Sequence, residues 1–147
     1  MSALLRQFLL CALLHCPLAL AAEDDIVGVW LSGDGDGWIE IRKEDDETVG
    51  IIAGSPNTKE GDAPRLDSKN PDPSLRDRPL DGLKFMTGFS YAGENRWTGG
   101  RIYDPNSGKT YKGTMLLTDR DTLKLRGYIG ISLLGRTDTW TRVTSRR

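Results

Sequence analysis

From residue 22 onward, apolar residues alternate with polar ones in short runs broken by Gly, Asp, Asn or Pro, and they nowhere recur at the three-four spacing of an amphipathic helix. The pattern predicts strands over residues 26–32, 38–43, 48–53, 82–91, 95–103, 109–118, 122–129 and 135–143. The connections Gly33-Asp34-Gly35-Asp36-Gly37, Ala92-Gly93-Glu94-Asn95, Asp104-Pro105-Asn106-Ser107-Gly108 and Asp119-Arg120-Asp121 are rich in residues that accept turn dihedrals, so successive strands are expected to be antiparallel. Period-two spacing puts Ile39 with Ile41, Val49 with Ile51, Leu83 with Phe85 and Phe89, and Leu123 with Leu125, Gly127 and Ile129, each set on one face. These are the expected core.

An open meander would leave two edge strands exposed, and closing the sheet removes them. The expected fold is therefore all-β, an eight-stranded antiparallel up-and-down barrel, with a two-sheet sandwich as the alternative built from the same strands. Closure at eight strands leaves an interior that side chains fill or that holds one small ligand. Gly88, Gly99, Gly100, Gly113 and Gly127 are positions at which strands can bend. Residues 54–81 break the pattern with five prolines, many charges and few apolar positions. Within them Asp72 as N-cap and Pro73 at the first position predict a single helical turn that ends before Pro79. That piece, with Arg76, Asp77 and Arg78, reads either as a lid over one barrel mouth or as an exposed loop.

Ahead of the strands, Arg6, the apolar residues 8–20 and the small residues Ala19, Ala21 and Ala22 read as a secretory signal peptide over residues 1–21, which implies a periplasmic or secreted protein. A lipoprotein signal fits poorly, because Cys16 sits between His15 and Pro17. Cys11, His15 and Cys16 are the chain's only thiols and imidazole, so residues 22–147, expected as one domain, have neither. That excludes a Ser-His-Asp triad, a Cys-His pair, a disulfide and a His- or Cys-ligated metal from the exported part. Loss of Arg6 leaves 19 basic residues against 21 acidic ones. Bulk charge therefore gives no reason to expect a nucleic-acid partner, and the cluster Arg142, Arg146, Arg147 reads as a solvated tail. No second apolar stretch follows, so no membrane insertion is expected after leader removal.

Gly28-Val29-Trp30 on the first strand and Trp140-Thr141-Arg142 on the last resemble the lipocalin arrangement in which a tryptophan plugs one barrel end beneath an arginine, a structural role for Gly28, Trp30, Trp140 and Arg142. More of the chain, including Gly-Asp-Gly-Asp-Gly-Trp at 33–38, Leu-Arg-Asp-Arg-Pro-Leu at 75–80, Arg-Trp-Thr-Gly-Gly-Arg-Ile-Tyr-Asp-Pro at 96–105, Leu-Arg-Gly-Tyr at 125–128 and Leu-Gly-Arg-Thr at 134–137, resembles the bacterial exported family catalogued as domain of unknown function 2147. The resemblance implies a lipocalin-like barrel with a ligand cavity and brings no reaction with it. Where family members carry cysteines, Glu44, Val49 and Asp81 stand here, so no thiol role transfers.

Other motifs resolve into turns. Ser-Gly-Lys-Thr at 107–110 has Tyr103 where a phosphate loop needs glycine and joins strand to strand. Asp34 and Asp36 lack the ligand spacing of an EF-hand, and neither a metal nor a cofactor is expected. Asp77, Asp81 and Asp104 are carboxylates that a glycosidase could pair, but acids beside Pro or Gly ordinarily make turns. Candidate ligand contacts are Trp97, Arg101, Tyr103, Lys109, Tyr111, Arg126 and Tyr128, which would hold an amphipathic or anionic molecule if they faced inward and form cross-strand surface pairs if they face out. The expected function is a non-catalytic small-ligand-binding module; the alternative is a structural or protein-interaction component of the cell envelope whose barrel is filled.

Overall fold

The computed structural model describes residues 23–144. The signal-peptide reading of residues 1–21, with Cys11, His15 and Cys16, and the tail arginines Arg146 and Arg147 lie outside the described residues. Eight antiparallel strands close into a barrel in chain order: β1 (Gly28–Leu31), β2 (Trp38–Glu44), β3 (Glu47–Gly54), β4 (Lys84–Tyr91), β5 (Arg96–Asp104), β6 (Lys109–Asp119), β7 (Thr122–Tyr128) and β8 (Arg136–Arg142). Closure comes from β1 pairing with β8, where Trp30 stands opposite Arg142 and Leu31 opposite Thr141. The barrel, and not the sandwich, is what these strands build.

Its interior is filled at the end where β1 begins. Trp30, Phe89, Trp97, Met115 and Leu123 are essentially inaccessible to solvent, joined there by Ile26 from the turn before β1. Phe89 lies across the interior so closely that a Cβ on Gly100 would stand 2.3 Å from its ring carbons, and one on Gly113 would stand 2.7 Å from Cζ. These two glycines therefore make room for an aromatic ring as well as bending strands. Gly88 and Gly99, both at positive φ, lie against each other on β4 and β5, and beside them the β3–β4 and β5–β6 registers shift.

Those shifts change the expected core. Met86 and Phe89 are both fully buried although three residues apart, so β4 does not keep a strict period of two. Leu83 precedes the strand and Phe85 is only partly buried. Ile39 pairs with Ile52 and Ile41 with Gly50, which puts Ile52 and Gly50 on the interior face; Val49 and Ile51 are buried on the other face, outside the central cluster. Ile129 lies past the end of β7 and is 64% exposed.

Residues 54–81 are not structureless. Leu66 bridges to Pro79, Asp67 N–H donates to Arg78 O (3.0 Å) and Leu80 N–H to Arg65 O (2.8 Å), so the segment doubles back as a short ribbon. The helical turn is a 3-10 turn at Pro73–Leu75, with the Asp72 carboxylate accepting from Ser74 N–H at 2.9 Å.

Candidate functional site

The end of the barrel opposite the packed half is its open mouth. A cleft of about 290 Å³ there has a floor of Ile39, Ile52, Phe85, Ile102, Leu125 and Trp140. Asp34, Asp36, Asp104 and Asp138 stand at its rim, and Arg65 and Leu80 of the long loop form part of its wall. A second cleft of about 670 Å³ adjoins it, sharing Ile102, Asp104, Leu125 and Asp138, and runs between Tyr111, Tyr128, Ile129 and Leu134. An apolar floor beneath a few polar groups is the usual composition of a small-molecule site.

Each rim carboxylate is held by hydrogen bonds, Asp34 and Asp104 within their own turns. Asp34 accepts from the Ser32 hydroxyl (2.5 Å) and from Asp36 N–H (3.0 Å), and these two bonds hold its carboxyl below the usual carboxylate range. Asp36 accepts from Asn57 Nδ2 at 2.6 Å, which ties the long loop to the β1–β2 turn. Asp104 accepts from Asn106 N–H and the Ser107 hydroxyl, and Asp138 from Trp140 Nε1 at 2.6 Å. The nearby cation Arg65 is already paired with Asp81 at 3.0 Å. Four rim carboxylates against Arg65 and, in the adjoining cleft, Arg136 leave the mouth with an excess of negative charge.

One wall of the mouth hangs on a buried carboxylate that strand periodicity does not reveal. Asp67, fully buried in the long loop, accepts from Tyr103 Oη (2.5 Å), Asn70 Nδ2 (2.7 Å) and Arg78 Nε (2.9 Å), and forms an ion pair with a terminal guanidinium nitrogen of Arg78 at 2.8 Å. Burial pushes the Asp67 carboxyl up, but the bonds from Tyr103, Asn70 and Arg78 together outweigh it and leave the group below its ordinary value. The Tyr103 phenol is pushed up to about 12, first by burial and then by its bond to the Asp67 carboxylate. Asn70 carries Arg76 as well, through Arg76 Nε to Asn70 O at 2.8 Å. The loop then lies so close to the β5–β6 turn that a Cβ on Gly108, at φ 69°, would be 2.1 Å from Lys69 O.

At the closed end, the Arg142 guanidinium carbon lies 4.2 Å from the Trp30 ring centroid, with Nε donating to Arg120 O (2.8 Å) and a terminal nitrogen to Val27 O (2.9 Å). Trp30 Nε1 donates to Ile26 O at 2.9 Å. A Cβ on Gly28 would stand 2.8 Å from that guanidinium. Trp140 is buried, with its ring at the cleft floor. A polar depression of about 600 Å³, lined by Asp24, Asp25, Asp119, Arg120 and Arg142 among others, lies at this end.

The structure separates the residues singled out as ligand contacts. Tyr103, Tyr111 and Tyr128 border the clefts, and Tyr111 packs on the core. Arg101 and Lys109 are exposed and line neither cleft: Arg101 stands opposite Lys112 on the outer face, and Lys109 sits at the hairpin end opposite Asp104. Arg126 is also on the outer face, opposite Thr114 and Thr137, and its guanidinium bonds the β7–β8 loop. Trp97 is packed in the closed half, 5.1 Å from the Tyr91 ring, with Nε1 lacking a hydrogen-bond partner. Of the lid residues, Arg78 and Arg76 fasten the loop from within, while Asp77 is exposed, so none of the three covers the mouth; Arg65 and Leu80 approach it instead. Among the described residues no group of three or more His, Cys, Asp or Glu is disposed to hold a metal ion.

Comparison with known proteins places this geometry. A family model described as an uncharacterized protein conserved in bacteria (DUF2147) matches residues 28–142. The solved structure of protein HP1028 from the human pathogen Helicobacter pylori, described as belonging to the lipocalin family, superposes with a TM-score of 0.73 at 22% sequence identity, covering 80% of this chain and 82% of that one. At that identity the likeness speaks for the fold. No curated protein matches.

Proposed function

The chain belongs to the DUF2147 family of bacterial proteins, and from its half-filled barrel we propose a non-catalytic module that binds one small amphipathic molecule at the open mouth, outside the cytoplasm. The observation that carries the proposal is the contrast between the two barrel ends: aromatic packing closes one, while the other has two joined clefts over an apolar floor. An apolar body would lie on Ile52, Phe85, Ile102 and Leu125, and its head would meet the rim. The carboxylates there favour a cationic or hydrogen-bond-donating head over the anionic one expected from the sequence, because the cations meant to hold an anion are on the outside. The export part of the reading is supported by residues 1–21, and the absence of catalysis by residues 22–147 having neither histidine nor cysteine.

The test uses two probes with one apolar body and opposite heads, decylammonium and decanoate, in titration calorimetry. A Cβ on Gly127 meets only ordinary contacts at 3.6 Å or more, from Tyr111 and Ile102, so Gly127→Leu fills the cleft without backbone strain. Expected is tighter binding of decylammonium than of decanoate, abolished by Gly127→Leu. If neither probe binds, and native mass spectrometry of protein taken from cells shows a bare mass, the filled-barrel envelope component replaces this reading.

A further inference from the structure

The loop between β7 and β8 carries Ile131, Leu133 and Leu134 at 61, 83 and 78% exposure, next to the 64% exposed Ile129. Four aliphatic side chains displayed on six residues are far from the scattered single exposures normal for a protein surface. They are also held out. Arg126 donates from Nε to Ser132 O (2.9 Å), from one terminal nitrogen to Leu133 O (3.2 Å) and from the other to Thr137 Oγ1 (2.9 Å), so the loop backbone is fastened down while its apolar side chains face solvent.

The sheet beside this tip is basic. On β5–β7 the interior rows run through Trp97–Met115–Leu125 and Ile102–Tyr111, which leaves Arg96, Arg101, Lys112, Lys124 and Arg126 on the outer face. The carboxylates of these strands are Asp104 and Asp119, each the last residue of its strand. Arg101 stands directly opposite Lys112, a like-charge pairing that weakens a sheet, and neither Arg96, Arg101, Lys112 nor Lys124 has a carboxylate partner among the described residues. On the opposite side, by contrast, Glu44 pairs with both Arg42 and Lys84.

An unneutralised cationic face continuous with a protruding aliphatic tip is the combination that binds an anionic lipid surface: the charges draw the protein to the headgroups and the tip enters among them. We propose that the outer face of β5–β7 and the β7–β8 tip dock the protein peripherally on an anionic bilayer. A loop this short reaches the interfacial zone and spans nothing. The cleft between Tyr111, Tyr128, Ile129 and Leu134 opens beside the tip, so docking would present it to the lipid surface; that last step rests on the ligand-binding reading, whereas docking itself does not.

Co-sedimentation tests the proposal with residues 22–147, which carry the complete barrel and omit the apolar leader. Vesicles of phosphatidylcholine mixed with phosphatidylglycerol are compared with vesicles of phosphatidylcholine alone. The protein is expected to sediment with the first and not the second, and molar salt should release it. The pair Ile131→Ser with Leu133→Ser should lower partitioning by about tenfold or more, and Arg101→Gln with Lys112→Gln by about fivefold per charge removed, all with unchanged circular dichroism. Decylammonium affinity, measured in parallel, should be unaffected by the Ile131 and Leu133 pair, since neither residue lines a cleft, so that docking and ligand binding can fail separately. Protein that stays in the supernatant with anionic vesicles overturns the proposal, as does an Ile131 and Leu133 double variant that sediments like the parent. A dimer in light scattering that the same double variant dissolves, without vesicle uptake, would make the tip a protein interface instead.

Discussion

Replacing Asp67 with alanine removes the acceptor of three hydrogen bonds and one half of an ion pair at once, and leaves the Arg78 guanidinium, the Tyr103 hydroxyl and the Asn70 amide facing a buried void. Removing one partner of a buried ion pair typically costs about 3–5 kcal/mol, because the remaining charge is neither hydrated nor paired. Arg78 is about one-third exposed, so part of its charge recovers water and the lower figure, ~3 kcal/mol, is the better expectation. With a urea m-value of about 1–3 kcal/mol/M, that is a fall in midpoint of about 1–3 M. Buried Trp30, Trp97 and Trp140 report barrel unfolding by fluorescence, while trypsin at exposed Lys59, Arg65, Lys69 and Arg76 reports the long loop. If the loop peels away, the orphaned groups rehydrate, the midpoint falls less and cleavage within residues 59–76 accelerates at low urea. Either signature is consistent with the clamp. A midpoint within the error of the parent together with unchanged trypsin resistance would refute the reasoning, because it would mean that Asp67 fastens nothing.

The same clamp predicts how stability depends on pH. Asp67 titrates lower in the folded protein than in the unfolded chain, so its contribution is present above the ordinary carboxylate range near pH 4 and is lost as pH falls through its depressed folded value; Asp67→Asn should flatten the acid limb of a melting-temperature profile. Tyr103 has the opposite sense, since its folded value is raised to about 12: its contribution holds below about pH 10 and is lost as pH rises toward 12, and Tyr103→Phe should remove that alkaline limb. Gly100→Ala would push a methyl against the Phe89 ring and should destabilise the barrel by about 1–3 kcal/mol in chemical denaturation. Arg142→Met keeps the apolar stem over Trp30 but strands the carbonyls of Val27 and Arg120, with a loss of about 1–3 kcal/mol expected by the same measurement.

Strand order, antiparallel pairing and closure were legible because alternation and turn chemistry act locally and agree. The errors arose where three-dimensional pairing overrides local spacing. Met86 joins the core beside Phe89 because the β3–β4 register shifts between them, and no count along one strand reveals a shift made by two. Period two directs Ile129 inward, but the strand ends at Tyr128 and the periodicity ends with it. The outward direction of Arg101 and Arg126 follows from register with Ile102 and Leu125, which are themselves interior. Asp67 leaves no periodic trace, since it lies in a proline-rich stretch and its three hydrogen bonds come from residues 3, 11 and 36 positions away. The available hint was an Asp with an Asn three residues on, between strands that otherwise connect in a few residues.

The seam of the barrel is narrow: β1 meets β8 at two register positions, whereas β2 meets β3 at seven. The strand made first by the ribosome must therefore wait for the one made last, more than a hundred residues later, before its free side is covered. Until then the growing sheet has an uncovered flank, and loop-closure entropy makes this the slowest contact to gain and the first to open under tension. A molecule pulled by its two ends would consequently unzip from that seam, with neither the open mouth nor the long loop as its point of failure.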